Sequence, residues 1–212
     1  MSYTTPPYLA DGSSWSADQF NLYVRDNIAA LAELSKSVSA KRIQSTRLAV
    51  DAASVAFSSI PQVYSSLQLL INARGSAAVA SVEVRAVFNS DAGANYDYSR
   101  ASWTKAASAT LHAEGQTSAL LGLIPGASAT AGLSGSISTY FPAYRIPADL
   151  HRLCLSEGYL QTGITTGLLI PSLSMIHWRS TTPIDSITLS LSSGNFVAGS
   201  IFYLYGLQGE TL

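Results

Sequence analysis

Three histidines, one cysteine and a thin scatter of carboxylates are the side chains of this 212-residue sequence best suited to chemistry. A metal centre or a general-base site needs such groups clustered, and clustering is often announced by two histidines one helical turn apart or by a histidine beside an acid at ligand spacing. His112, His151 and His177 show neither pattern. They read as hydrogen-bonded strand or loop residues. Serine is abundant, but no Gly-x-Ser-x-Gly elbow is present, so a nucleophilic triad would have to be assembled from distant strands. Asp91, Asn95 and Asp97 surround Gly93 like part of a calcium loop, yet the bidentate Glu that ends such a loop is missing. A turn held by Asx hydrogen bonds accounts for the same residues. Asp51 or Asp185 could pair with another carboxylate for glycoside hydrolysis, but such a pair needs a pocket and the acids here fall mostly at turns or strand ends. No Gly-rich loop ending in Lys-Ser/Thr offers a phosphate site. No catalytic, metal or cofactor residues are assigned, and no cofactor is expected.

Composition bounds the partners. Charged residues are 12% of the chain, about half the usual share, and twelve basic against thirteen acidic side chains give a formal charge of −1. There is no electrostatic footprint for nucleic acid or anionic membrane. A surface so poor in charge is weakly protected against association, which points toward an oligomer. The small basic cluster of Lys41, Arg42 and Arg47 reads as a solvated hinge or an inter-subunit contact. Cys154, between Leu153 and Leu155, reads as a buried strand position, and no internal disulfide can form. The first residues lack a leader pattern, and no stretch approaches ~18 consecutive apolar residues, so membrane insertion is not expected. Eleven Tyr and three Trp supply core packing or, at loop tips such as Asn89–Tyr98 and Gly126–Gly135, platforms for sugar rings.

Two textures meet near residue 40. Asp11-Gly12-Ser13-Ser14 offers turn and N-cap residues ahead of Trp15-Ser16-Ala17-Asp18, where an early acid complements the helix dipole. The following helix places Phe20, Val24, Asn27, Leu31, Leu34 and Val38 at spacings of 4, 3, 4, 3 and 4, the seam of a short coiled coil with Asn27 in a core layer. With Ile28 in place of Asn27, the same helix presents one amphipathic stripe that could dock on the chain's own β domain. Both readings stand. Residues 1–40 are therefore an arm and an anchoring or oligomerising helix, and residues 41–212 a β domain.

From Ile43 onward, short apolar runs alternate with Gly, Pro and Asn-rich breaks. About ten strands are expected: residues 48–57, 66–73, 82–88, 96–105, 117–124, 133–141, 150–156, 168–177, 186–191 and 200–207. Leu67, Leu69 and Ile71 alternate with Gln68, Leu70 and Asn72, and Ile187, Leu189 and Leu191 with Thr188, Ser190 and Ser192, so each strand offers one face to a core. The absence of helical runs between the strands favours a mainly β fold, an antiparallel β-sandwich of jelly-roll type preceded by a single N-terminal helix.

Two regions resemble phage virion proteins of the tail-fibre and minor-structural type. After Ala10-Asp11-Gly12, the run Trp15-Ser16-Ala17-Asp18-Gln19-Phe20-Asn21-Leu22-Tyr23-Val24-Arg25-Asp26-Asn27-Ile28-Ala29-Ala30-Leu31 is similar to the helix that opens many of them. The β domain carries Phe57-Ser58-Ser59-Ile60-Pro61, then Phe88-Asn89-Ser90-Asp91-Ala92-Gly93-Ala94-Asn95-Tyr96, and finally Gly194-Asn195-Phe196-Val197-Ala198-Gly199-Ser200-Ile201-Phe202-Tyr203-Leu204-Tyr205-Gly206, in the order found in a phage structural family. The resemblance implies a virion protein assembled in the host cytoplasm, a homotrimer docking to other virion proteins through residues 1–40, and brings no catalytic residues with it. The alternative it leaves is a module that binds a receptor or glycan on the host surface.

Overall fold

A computed structural model of the chain describes residues 40–104, 107–145, 150–164 and 169–207. These residues are mainly β, and no helix occurs among them. The N-terminal helix, with Phe20, Val24, Asn27, Ile28, Leu31, Leu34 and Val38, lies outside the described residues. The strands are β1 (Ala40–Arg47), β2 (Ser54–Phe57), β3 (Ser66–Ala73), β4 (Ser81–Phe88), β5 (Tyr96–Trp103), β6 (Ser108–Gln116), β7 (Ala119–Pro125), β8 (Gly135–Pro142), β9 (Arg152–Gln161), β10 (Leu169–Trp178), β11 (Ile187–Leu191) and β12 (Ile201–Leu207). They form two antiparallel sheets, a long one ordered β1-β12-β3-β8-β9-β10-β5-β6 and a short one ordered β2-β11-β4-β7.

The expected pattern of inward and outward residues holds where alternation was clear. In β3, Leu67, Leu69 and Ile71 are buried while Gln68, Leu70 and Asn72 face outward, and in β11 Ile187 and Leu189 are buried. Between the sheets Phe88, Tyr96, Phe141 and Trp178 form an aromatic cluster, with Phe88 meeting Phe141 and Trp178 edge-on at 5.6 Å and Tyr96 stacked on Trp178 at 6.3 Å. Such edge-to-face and offset contacts are the favoured geometries for aromatic pairs. Nearer β9 and β10 the interior turns small and hydroxylated. Thr139 and Ser156 share a buried hydrogen bond at 2.8 Å, and Gly158 leaves room only for the Ser172 hydroxyl, 2.7 Å from where a Cβ would stand. These small residues let β7 pack closely on the long sheet.

Four expectations need correction. Twelve strands form among the described residues rather than ten, because β1 and β6 carry little apolar signal. Lys41, Arg42 and Arg47 are not a hinge: they project from β1, an edge strand with a bulge between Arg42 and Gln44. Exposed charge and a bulge are devices that keep an edge from pairing with another sheet. The expected strand over residues 48–57 is mostly a connection, with only Ser54–Phe57 paired, and β9 extends to Gln161, five residues past the expected end.

The loops at one end are tied by side chains. Asn89 and Ser90 adopt positive φ of 51° and 58°. Asn89 donates to Pro183 O and accepts from the backbone N–H of Asp185. The Asp91 carboxylate accepts from Gly93 N–H, from the Asn95 amide and, at 2.7 Å, from the Trp178 indole. The Asx turn is therefore the role of Asp91 and Asn95. The loop over Gly126–Gly135 is likewise held: the Arg74 guanidinium donates to the carbonyls of Ala127, Ala129, Thr130 and Leu133.

Candidate functional site

The long sheet shows its outer face to solvent at β8, β9, β10, β5 and β6, and the ladder registers lay its residues in rows. Tyr140, Leu155, Met175, Ser99 and His112 form one row across these five strands. The next row holds Leu153, His177 and Asp97 on β9, β10 and β5. Together these rows border an open depression of about 470 Å³. All three histidines, separated in sequence, stand at or beside it: His177 and His112 on the rim, and His151 against His177.

His151 Nδ1 lies 2.9 Å from His177 Nε2, and His177 Nδ1 lies 3.1 Å from Asp97 Oδ2. An ionised Asp97 accepts from His177 Nδ1–H, which leaves His177 Nε2 to accept from His151 Nδ1–H, so a single chain of donors fixes both tautomers. Burial alone would raise the Asp97 carboxyl. It is outweighed by the Arg179 guanidinium, the Gly115 N–H and the His177 ring, which hold it below the usual carboxylate range. Asp97 thus sits in an ion pair with Arg179 on β5, one strand in from the sheet edge. His151 and His177 are a pair of nitrogen donors without a third, and among the described residues no group of three His, Cys, Asp or Glu side chains is arranged to hold a metal ion.

On β5 and β6 a second contact chain runs from Ser99 Oγ to His112 Nδ1 at 2.8 Å and from His112 Nε2 to Glu114 Oε1 at 3.2 Å. The residue types are those of a nucleophilic triad, but the side chains of His112 and Glu114 are 65% and 68% exposed. The carboxylate that orients a catalytic imidazole is buried, and water competes with every contact of this one. The arrangement is a surface hydrogen-bond chain across an edge strand. The Ser99–His112 and His151–His177 contacts depend on which strands pair, whereas His112 and Glu114 stand two residues apart on one face of β6, a neighbouring acid that corrects the expectation of none.

The remaining property of the face is apolar. Tyr140, Leu153, Leu155, Tyr159, Leu169 and Met175 are each between 40% and 60% exposed, with the half-buried Pro171 and Leu173 between them. In β9 this follows from an inverted alternation, in which Arg152, Cys154, Ser156 and Gly158 point inward while Leu153, Leu155 and Tyr159 point outward. Arg152 is tolerated inside because its guanidinium donates to the carbonyls of Ala143, Thr181 and Thr182. Cys154 is buried, as its setting implied, and burial pushes its thiol up. Asp51 and Asp185 are not brought together with other acids; Asp51 accepts from Ala198 N–H, and Asp185 flanks Asn89. The seam residues Phe20, Val24, Asn27, Leu31, Leu34 and Val38 lie outside the described residues.

Comparison with protein-family models, with curated proteins and with solved structures finds no match to this chain.

Proposed function

We propose that this chain is a non-enzymatic structural component of a bacteriophage particle, a fibre-like or decorating protein that assembles as a homo-oligomer, by analogy a trimer, and docks to other virion proteins through residues 1–40. The observation that carries the reading is the strand order. Along the chain β2, β4, β7 and β11 go to the short sheet and β3, β5, β6 and β8 to the long one, in the orders 2-11-4-7 and 3-8-…-5-6. This interleaving is that of an eight-stranded jelly roll, with the β9–β10 hairpin inserted between β8 and β5 and with β12 and β1 added beside β3. Jelly rolls are a recurrent architecture of viral capsid and lectin domains. The inference from architecture to a virion is an analogy, supported by the resemblance in sequence and by the low charge of the surface.

The exposed face agrees with a scaffold that meets other proteins. Contiguous apolar patches of this kind mark association sites in soluble proteins. The polar groups beside it are paired with one another rather than poised around a water-excluded centre. A second reading, a host receptor- or glycan-binding module, draws on Tyr140, Tyr159 and Trp103, whose rings are exposed on the same side of the sheet. The loop tips first considered for that role are held by Asp91 and Arg74, so this reading would rest on the sheet face instead.

Mass spectrometry and immunolabelling of purified phage particles test the proposal. A virion component is found at a fixed copy number and labels one location. Absence from particles that infect normally would overturn it, and binding of the purified protein to host cells in competition with phage would favour the second reading.

A further inference from the structure

We infer that the apolar outer face of the β9–β10 hairpin is the surface on which copies of this chain pack against one another, with the row Tyr140, Leu155 and Met175 closest to the symmetry axis. The inference rests on the homo-oligomeric reading above and deepens it by naming the surface.

Area is the first argument. Six side chains exposed by 40–60% present apolar surface on the order of 600 Å², at the upper end of what a typical monomer leaves in one patch. Stable interfaces bury about 800 Å² on each partner, so this face supplies most of what one needs, and the half-buried Pro171 and Leu173 continue it along β10. Register is the second. The residues occupy alternate positions of neighbouring antiparallel strands in register, so copies related by a rotation axis bring the same rows, and the depression that they border, together at that axis.

Charge is the third argument, and it disfavours a strongly charged partner. An interface for a charged protein or for nucleic acid would present unpaired charge of one sign. Asp97 is neutralised by Arg179, and on the outward side of β9 the carboxylate is Glu157, in register with Ser138 on one side and Leu173 on the other. Glu157 is exposed on the outward side of β9 between Leu155 and Tyr159, so each copy brings a single carboxylate into the middle of this face. The hairpin that bears the patch is the element inserted between β8 and β5; along its middle the inward residues Ser156, Gly158, Ser172 and Ser174 are small, while outward Leu153, Leu155, Tyr159, Leu169 and Met175 are large and apolar.

The experiment uses the full chain. Cys154 is buried, so a thiol introduced by Met175→Cys is the one exposed to a mild oxidant. The expected result is a covalent dimer on a non-reducing gel whose yield does not fall over a tenfold dilution, with at least tenfold less from Val50→Cys, an exposed site remote from the face. Ready labelling of Met175→Cys by a maleimide with no cross-link would overturn the inference. A Leu155→Glu variant supplies the second measurement: it is expected to lower the solution mass from the oligomer to the monomer while its unfolding midpoint stays within a few degrees of the parent. An oligomer unchanged in Leu155→Glu would overturn the assigned surface but leave the homo-oligomer reading standing, since the copies would then be joined elsewhere.

Discussion

Asp97 and His177 are register partners in the β5–β10 ladder, and the carboxylate Oδ2 lies 3.1 Å from the imidazole Nδ1. Asp97 also receives two hydrogen bonds from Arg179 and one from the Gly115 backbone. One carboxylate thereby joins β10, β5, the end of β6 and the segment after β10. Replacing it with Asn weakens the guanidinium contact and leaves the geometry otherwise intact.

Asp97→Asn is expected to lower stability at neutral pH by about 1–2 kcal/mol, a charge-assisted network discounted for the partly exposed Arg179. Urea unfolding at pH 7 measures it. An unchanged midpoint would mean that the ion pair is energetically silent.

The same carboxylate sets the acid limb of stability, together with Asp91, whose pKa is lowered first of all by the Trp178 indole N–H. Both are depressed in the folded chain, so their stabilisation is complete above the ordinary Asp value of about 3.9 and is lost as pH falls through the folded values. Stability measured from pH 5 to pH 2 should decline, and less steeply in Asp97→Asn. Equal slopes for parent and variant would remove Asp97 from this account.

Strand β3 was legible because its two faces differ in polarity, and the Asx turn because Asp, Gly and Asn at turn spacing have few other uses. Strands β1 and β6 were not. β6, Ser108–Gln116, is an edge strand in which Ala109, Leu111 and Ala113 alternate with Thr110, His112 and Glu114, and with a single large apolar residue that alternation is weak. β9 alternates in the opposite sense to a core strand, since Leu153 and Leu155 face solvent and Ser156 and Gly158 face the interior. The contacts of His177 with Asp97 and of His112 with Ser99 depend on the pairing of β10 with β5 and of β5 with β6, and no local pattern encodes the first of these pairings across some eighty residues.

Gly206 lies in β12 beneath the Tyr64 ring, so close that a Cβ would overlap the ring atoms. Tyr64 is itself buried, and its backbone carbonyl accepts from Arg145. Gly206→Ala should cost about 1–3 kcal/mol by overpacking, read as a lowered thermal midpoint. A neutral effect would show that Tyr64 can swing away freely.

Cys154 is buried against the aromatic core, and burial disfavours its thiolate. Its reaction with a disulfide reagent should therefore be at least about a hundredfold slower in the native protein than in denaturant, following opening of the structure. Reaction at the free-thiol rate in the native state would contradict the packing of β9 described above.

Self-association of this chain as a structural module is read in the first place from its mass in solution. Sedimentation of the full chain at micromolar concentration is predicted to give a closed oligomer, with three times the 22.3 kDa of one chain as the expected mass. A single species of 22.3 kDa, unchanged at higher concentration and in an Asn27→Leu variant, would contradict it.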